Sequence, residues 1–184
     1  MTILINKSIF IDGDIIELIN LFMSEASGKI NLKRGLSKYP YPETYDKAVG
    51  LVEVMISFEA FINILQPNES KIWKKREFFC STYQNLFMMF KDSCKDWLKA
   101  LKKELDNNGD LIDMTPPPKT RPSIRINNQD SLYEIVEIIY RVRSNMVHGN
   151  KTLNSERNQI LIINSFHLAY NILNHILREE KILK

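Results

Sequence analysis

The sequence predicts an all-α protein, and three observations carry this prediction. Apolar residues recur at helical spacing through most of the chain, and no segment shows the strict alternation of a half-buried strand. Glycine and proline are few, with six and seven in 184 residues. Helices joined by short breaks favour an up-and-down helical bundle of about five helices. The length fits a single domain, 1–184, and no internal repeat is found.

Glycine and proline mark the boundaries of the predicted helices. An extended lead, 3–11, is followed by a turn at Gly13. Pro42 begins a second helix, and Pro67 ends it. Glycine is also the preferred residue just past a helix end, so Gly149 marks a further stop. The predicted helices are one over 15–23, one over 42–65, one long helix or two in tandem over 70–105, one over 131–148 and a last one over 155–183.

The segment 114–126 interrupts this pattern. It contains three consecutive prolines, which exclude a helix, and its Lys119 and Arg121 make it basic. We predict an extended, proline-rich loop that can reach a ligand, with a plain connection as the alternative.

Composition sets further limits. The net charge of +3 and the pI near 8.8 permit contact with phosphate but do not demand it. The start of the chain lacks the features of a signal peptide, and no apolar stretch reaches the length of a membrane-spanning helix. Cys80 and Cys94 would lie about 21 Å apart on one helix, too far for a disulfide. These observations predict a reduced, cytoplasmic protein.

Two basic runs flank the long helical segment: Lys71, Lys74, Lys75 and Arg76 at its start, and Lys99, Lys102 and Lys103 at its end. Such runs are most often solvated faces, and a surface for the RNA backbone is the alternative. His167 and His175 have no neighbours at metal-ligand spacing and are interpreted as structural or solvated. No metal, cofactor or glycine-rich phosphate loop is predicted.

The helix before Gly149 breaks its own pattern. At about 100° per residue, Arg143 falls in the middle of an apolar stripe. That stripe comprises Leu132, Ile135, Val136, Ile139, Val142, Met146 and Val147, and the opposite side carries Glu134, Glu137, Arg141, Ser144, Asn145 and His148. An arginine on an apolar face is costly unless it is paired or at an interface, so it marks a candidate site. Alternatively, Arg143 extends past the core and His148 complements the helix end.

The wider string over 139–151, I-Y-R-V-R-S-N-M-V-H-G-N-K, resembles the signature of the HEPN superfamily. That signature is an arginine, usually a polar residue directly after it, a few more residues and then a histidine, near the end of a late helix. Here Arg143, Ser144 and His148 match the motif, and Asn145, Gly149 and Lys151 match its surroundings. The family has asparagine, aspartate or histidine in the place of Ser144 more often than serine.

The resemblance implies a helical bundle that dimerises about a two-fold axis and cleaves RNA without a metal, using the 2′-hydroxyl as nucleophile. In that chemistry His148 would exchange protons and Arg143 would hold the scissile phosphate. Ser144 and Asn145 would orient the imidazole or bind a phosphate oxygen. The further candidate RNA contacts are Arg141, Lys151, Lys119 and Arg121.

Three functions follow as hypotheses. The first is a HEPN-type endoribonuclease, acting as a toxin or phage-defence effector with an antitoxin or regulatory partner, which requires Arg143 and His148 in one cleft of a homodimer. The second is a catalytically inactive protein of the same fold that binds RNA or a nucleotide. The third is a protein-interaction module, which would bury Arg143 in an ion pair and leave His148 isolated in solvent.

Overall fold

The structure is a computed structural model that describes residues 13–30, 42–111, 123–147 and 155–183. The helices are α1 (Gly13–Gly28), α2 (Pro42–Leu65), α3 (Ile72–Phe90), α4 (Lys95–Asn108), α5 (Leu132–Val147) and α6 (Glu156–Glu179), with a 3₁₀ turn (Lys91–Cys94) between α3 and α4. Within these ranges there is no strand, only one isolated β-bridge. The prediction of an all-α helical bundle is confirmed.

Most helix boundaries lie close to the residues that predict them. Serine side chains cap two helices: Ser131 Oγ accepts from Glu134 N at 3.3 Å, and Ser155 Oγ accepts from Asn158 N at 3.2 Å. The segment without glycine or proline forms two helices in tandem, because the 3₁₀ turn separates α3 from α4. The predicted extended lead, 3–11, lies outside the described residues.

The core gathers apolar side chains from all six helices around α6, which contacts each of the other five. Gly50 of α2 lies directly against the ring of Phe166 of α6. A Cβ atom at Gly50 would lie 2.5 Å from Phe166 Cε2, so the close approach of the two helices requires glycine there. About two turns further along α2, Phe58 meets Phe79 of α3 edge to face at 4.9 Å.

Two core helices, Glu43–Leu65 and Glu156–Glu179, are long and apolar enough to cross a membrane by length and composition alone. This differs from the prediction that no apolar stretch reaches the length of a membrane-spanning helix. In each, 56% of the apolar window is buried inside the protein, as expected of the central helices of a globular bundle. Length and composition are therefore weak evidence for a membrane span here.

The two ends of the proline-rich segment are joined at its base. Leu111 and Ile124 exchange two backbone hydrogen bonds, of 2.9 and 3.1 Å. Arg125 Nη2 pairs with Asp110 Oδ1 at 2.8 Å beside this bridge. The loop between, 112–122, lies outside the described residues, so the predicted extended backbone stays a prediction there.

Candidate functional site

The last two turns of α5 carry four of the predicted site residues: Arg141, Arg143, Ser144 and Asn145. The helix ends at Val147, and His148 is the next residue in the sequence. His148 itself, with Lys151, Lys119 and Arg121, lies outside the described residues. The structure therefore describes the part of the candidate site that contains Arg143, and His148 lies outside the described residues.

Arg143 is half-buried, and the prediction that it lies at the centre of the buried stripe is wrong. Val147, one turn later on the same predicted stripe, is 52% exposed. The arc of α5 that faces the core shifts in these last turns, away from Arg143 and toward Ile138, Arg141 and Asn145. The helix meets different neighbours along its length, so one straight stripe does not describe its buried face.

Two of the residues predicted on the polar side of α5 are instead buried. Arg141 is 6% exposed and Asn145, one turn later, is 1% exposed. Both side chains have an interaction partner, as buried polar groups in proteins generally do. Their burial leaves Arg143 and Ser144 as the more accessible polar residues of the described motif.

The guanidinium group of Arg143 makes no hydrogen bond or ion pair with any residue that the structure describes. Its Nε atom is shielded from solvent and has no acceptor. A shielded donor without an acceptor is costly, and such groups in native structures call for an explanation. An anionic ligand that accepts from this guanidinium would remove the cost.

A buried ion pair fixes α5 against α3. Arg76 is 1% exposed, its Nε donates to Glu137 Oε1 at 2.5 Å, and its Cζ lies 4.1 Å from the centroid of the Tyr140 ring. Arg76 Nη1 has no hydrogen-bond partner in the described part of the chain. This pair lies two turns before Arg143 on α5, so it holds the part of the helix that leads into the motif.

The prediction that Arg76 and Lys75 belong to a solvated basic run is wrong for both residues. Lys75 and Arg76 are both buried, and Lys75 Nζ donates to Asn63 Oδ1 of α2 at 2.7 Å. One signal was available in the sequence: Arg76 precedes Phe79 and Tyr83 by three and seven residues, the spacing of a single helical face.

The start of α5 is held by side chains of α3. Gln84 Oε1 accepts from Leu132 N at 3.0 Å, and Gln84 Nε2 donates to Asp130 O at 2.7 Å. Lys91 forms an ion pair with Asp130. These contacts attach the start of α5 to α3, and the Arg76–Glu137 pair attaches α5 to α3 again further along.

The last turns of α5 lie against the base of the proline-rich segment. Val142 and Met146 line a small crevice together with Leu111 and with Asn158, Leu161 and Ile162 of α6. Arg157 Nη2 donates to Gly109 O at 2.7 Å and so joins the start of α6 to the end of α4. The base of the basic loop is therefore adjacent to the end of α5.

The two histidines of α6 pack on aromatic rings. His167 stacks on Trp97 with ring centroids 5.1 Å apart, and burial together with the charge of Lys47 lowers the pKa of His167 to about 4. His175 stacks on Phe90 at 4.3 Å. The half-buried His167 fits the structural interpretation, and the exposed His175 fits the solvated one. Among the described residues, no group of three or more histidine, cysteine or acidic side chains is arranged to hold a metal ion.

Both cysteines are free and buried, on α3 and in the 3₁₀ turn. Burial raises the pKa of the Cys80 thiol to about 12 and also raises the pKa of Cys94. Neither has the low pKa of a nucleophilic thiolate, so both are core residues.

No protein-family model, no curated protein and no solved structure matches this chain. What the fold and the described geometry define is a helical bundle with an unpaired arginine near the end of its fifth helix.

Proposed function

We propose that this chain is a metal-independent endoribonuclease of the HEPN type, with a composite active site at a homodimer interface. The observation that carries the proposal is the state of Arg143. Arg143 is half-buried, its shielded Nε donor has no acceptor in the described part of the chain, and it lies five residues before a histidine. A phosphate oxygen is an acceptor that a planar guanidinium binds well, often through two parallel hydrogen bonds.

The remaining residues of the motif suit the second half of the chemistry. A histidine titrates near neutral pH, so His148 can take the proton of the 2′-hydroxyl or return one to the leaving oxygen. Arg143 then stabilises the charge that builds up on the equatorial oxygens of the phosphate. Ser144 is half-buried beside Arg143 and has a hydroxyl that can bind the imidazole or a phosphate oxygen.

Homodimerisation would bring two such motifs into one cleft. A two-fold interface uses the same patch on both subunits, so a motif near the axis meets its own copy. The exposed Val147, next to His148 in the sequence, offers apolar surface that a second copy can cover. In this arrangement Arg143 of one subunit acts together with His148 of the other.

A ribonuclease with a broad choice of substrate would also cleave the RNA of the cell that makes it unless a partner held it inactive. The proposal therefore includes a role as a toxin or phage-defence effector in the cytoplasm, held inactive by an antitoxin or regulatory protein.

The second candidate is a catalytically inactive protein of the same fold that binds RNA or a nucleotide, or docks a protein. Ser144 favours it, because the family that the motif resembles more often has asparagine, aspartate or histidine directly after the arginine. Binding of RNA without cleavage distinguishes this candidate from the first.

The test is RNA cleavage by the purified protein with EDTA present, on total RNA and on tRNA. We expect cleavage that leaves 2′,3′-cyclic phosphate ends, and we expect Arg143→Ala and His148→Ala each to lower the rate by about 10²-fold or more. All variants are first shown to be folded and to have the wild-type oligomeric state.

Matched controls are available on α6. Arg178→Ala and His175→Ala remove the same two side-chain types from exposed positions and should leave the rate unchanged. Full activity in His148→Ala would overturn the proposal, and RNA binding without cleavage by the wild type would favour the inactive protein.

A further inference from the structure

Four lysines form a row along one face of the 3₁₀ turn and α4. Lys91, Lys95, Lys99 and Lys102 follow one another at intervals of four, four and three residues, so they lie on one side of the helix. At 1.5 Å per residue the row extends for about 16 Å, with successive lysines about 6 Å apart. Such a row presents several cations to one extended ligand.

The row borders a surface groove between α4 and the segment that leads into α5. Lys91, Lys95 and Lys99 line this groove with Leu98, Gln129, Asp92 and Asp130. At its far end Lys102 Nζ donates to Ile126 O at 3.3 Å. The amide side chain of Gln129 adds a hydrogen-bonding group opposite the lysines.

The lysines of the row differ in whether they form an ion pair. Lys91 is paired with Asp130, and Lys102 with Asp106 at 3.0 Å. Lys95 and Lys99 are exposed, and their side chains make no hydrogen bond or ion pair with any described residue. The groove therefore has two lysine side chains without an ion pair, those of Lys95 and Lys99. It has one acidic side chain, Asp92, that has no ion pair in the described ranges.

The row leads toward the candidate site. Its last lysine, Lys102, contacts Ile126, two residues from the Leu111–Ile124 bridge at the base of the proline-rich loop. Leu111 in turn packs beside Met146 in the last turns of α5. A strand bound along the lysines would therefore be directed toward the end of α5 that bears the motif.

We propose that Lys95 and Lys99, with Lys91, bind the sugar-phosphate backbone of an RNA strand and direct it toward Arg143. Lysines contact phosphates without reading bases, so this surface, the lysine track, adds affinity but no sequence preference. The choice of RNA as the ligand rests on the proposed function. The track would favour substrates that continue several nucleotides beyond the cleaved bond.

The test is binding of a labelled 20-nucleotide oligouridylate, followed by fluorescence anisotropy over a range of salt concentrations. All proteins carry His148→Ala, which prevents cleavage during the titration. The variant is Lys95→Gln with Lys99→Gln. The control, matched in charge and exposure, is Lys71→Gln with Lys74→Gln at the start of α3, where Lys74 is paired with Glu69.

We expect the Lys95/Lys99 pair of substitutions to weaken binding by about tenfold or more at low salt. It should also reduce the slope of log affinity against log salt by about 1.4, the value for two lost phosphate contacts on a single strand. The control pair should stay within about twofold of the parent.

The proposed lysine track would be contradicted if the Lys95/Lys99 variant bound RNA with the affinity and salt slope of the parent. An equal loss of affinity in the control pair, or no RNA binding by the parent, would also contradict it. Failure of the proposed function looks different. Binding that depends on the track, with no cleavage by the protein that retains His148, would overturn the nuclease and leave the track in place.

Discussion

Arg76 donates from Nε to Glu137 Oε1 across 2.5 Å and thereby joins α3 to the helix that carries the candidate site. Both side chains are largely removed from solvent, at 1% and 12% exposure. Tyr140 covers the guanidinium from one side. The pair therefore helps to hold α5, and with it Arg143, against α3.

Replacing Glu137 by leucine should therefore destabilise the protein strongly. The substitution leaves the charge of Arg76 buried without its partner, which costs about 3 kcal/mol of unfolding free energy. Urea denaturation measures the loss. Adding Arg76→Met to Glu137→Leu removes the unpaired buried charge and should recover much of the lost stability. A loss below about 1 kcal/mol for Glu137→Leu alone would contradict this account of the pair.

Gly50→Ala tests the contact between α2 and α6. The new Cβ atom would lie 2.5 Å from Phe166 Cε2, so the helices or the ring must move. We expect a loss of about 1–3 kcal/mol in the free energy of unfolding, measured in denaturant. Gly28→Ala is the control, because no atom lies within 4 Å of the Cβ position there. Equal stability of the two variants would show that α2 and α6 do not approach this closely.

His167 predicts a dependence of stability on pH. Its folded pKa is lowered from 6.5 to about 4 by burial, so between these pH values the unfolded chain binds the proton more readily. The free energy of unfolding should therefore fall as the pH drops from 6.5 toward 4.

Urea denaturation at several pH values, on wild type and His167→Gln, measures this contribution. The substitution should make the fall in stability shallower over that range, whereas the same substitution at the exposed His175 serves as the matched control. An identical pH profile for His167→Gln and wild type would contradict a buried neutral imidazole.

The helices themselves were predictable from sequence because their boundaries depend on local chemistry. Pro42 at the start of α2 and Ser155 at the N-cap of α6 act within one turn of the chain. The break between α3 and α4 was only partly predictable, since Ser93 there is neither glycine nor proline. Its Oγ donates to Phe90 O at 2.7 Å, a bond that gives the backbone an alternative to the regular helix.

The candidate site was predictable in its residues but not in their burial. Which face of α5 is buried depends on the helices packed around it, and a periodic pattern assumes one straight neighbour. Arg141 and Asn145 are buried for this reason, although the pattern placed them on the polar side. Arg76 was misjudged for a related reason, because its partner Glu137 is 61 residues away in the sequence.

We propose that Arg143 and His148 of two subunits form one RNA-cleaving site. The most direct measurement is cleavage of RNA, with EDTA present, by Arg143→Ala, by His148→Ala and by the two mixed after exchange of subunits. We predict that each variant alone is inactive and that the mixture regains up to about a quarter of wild-type activity, because half of the dimers then hold one intact composite site. Wild-type activity in either variant alone, or a mixture as inactive as its components, would contradict the claim.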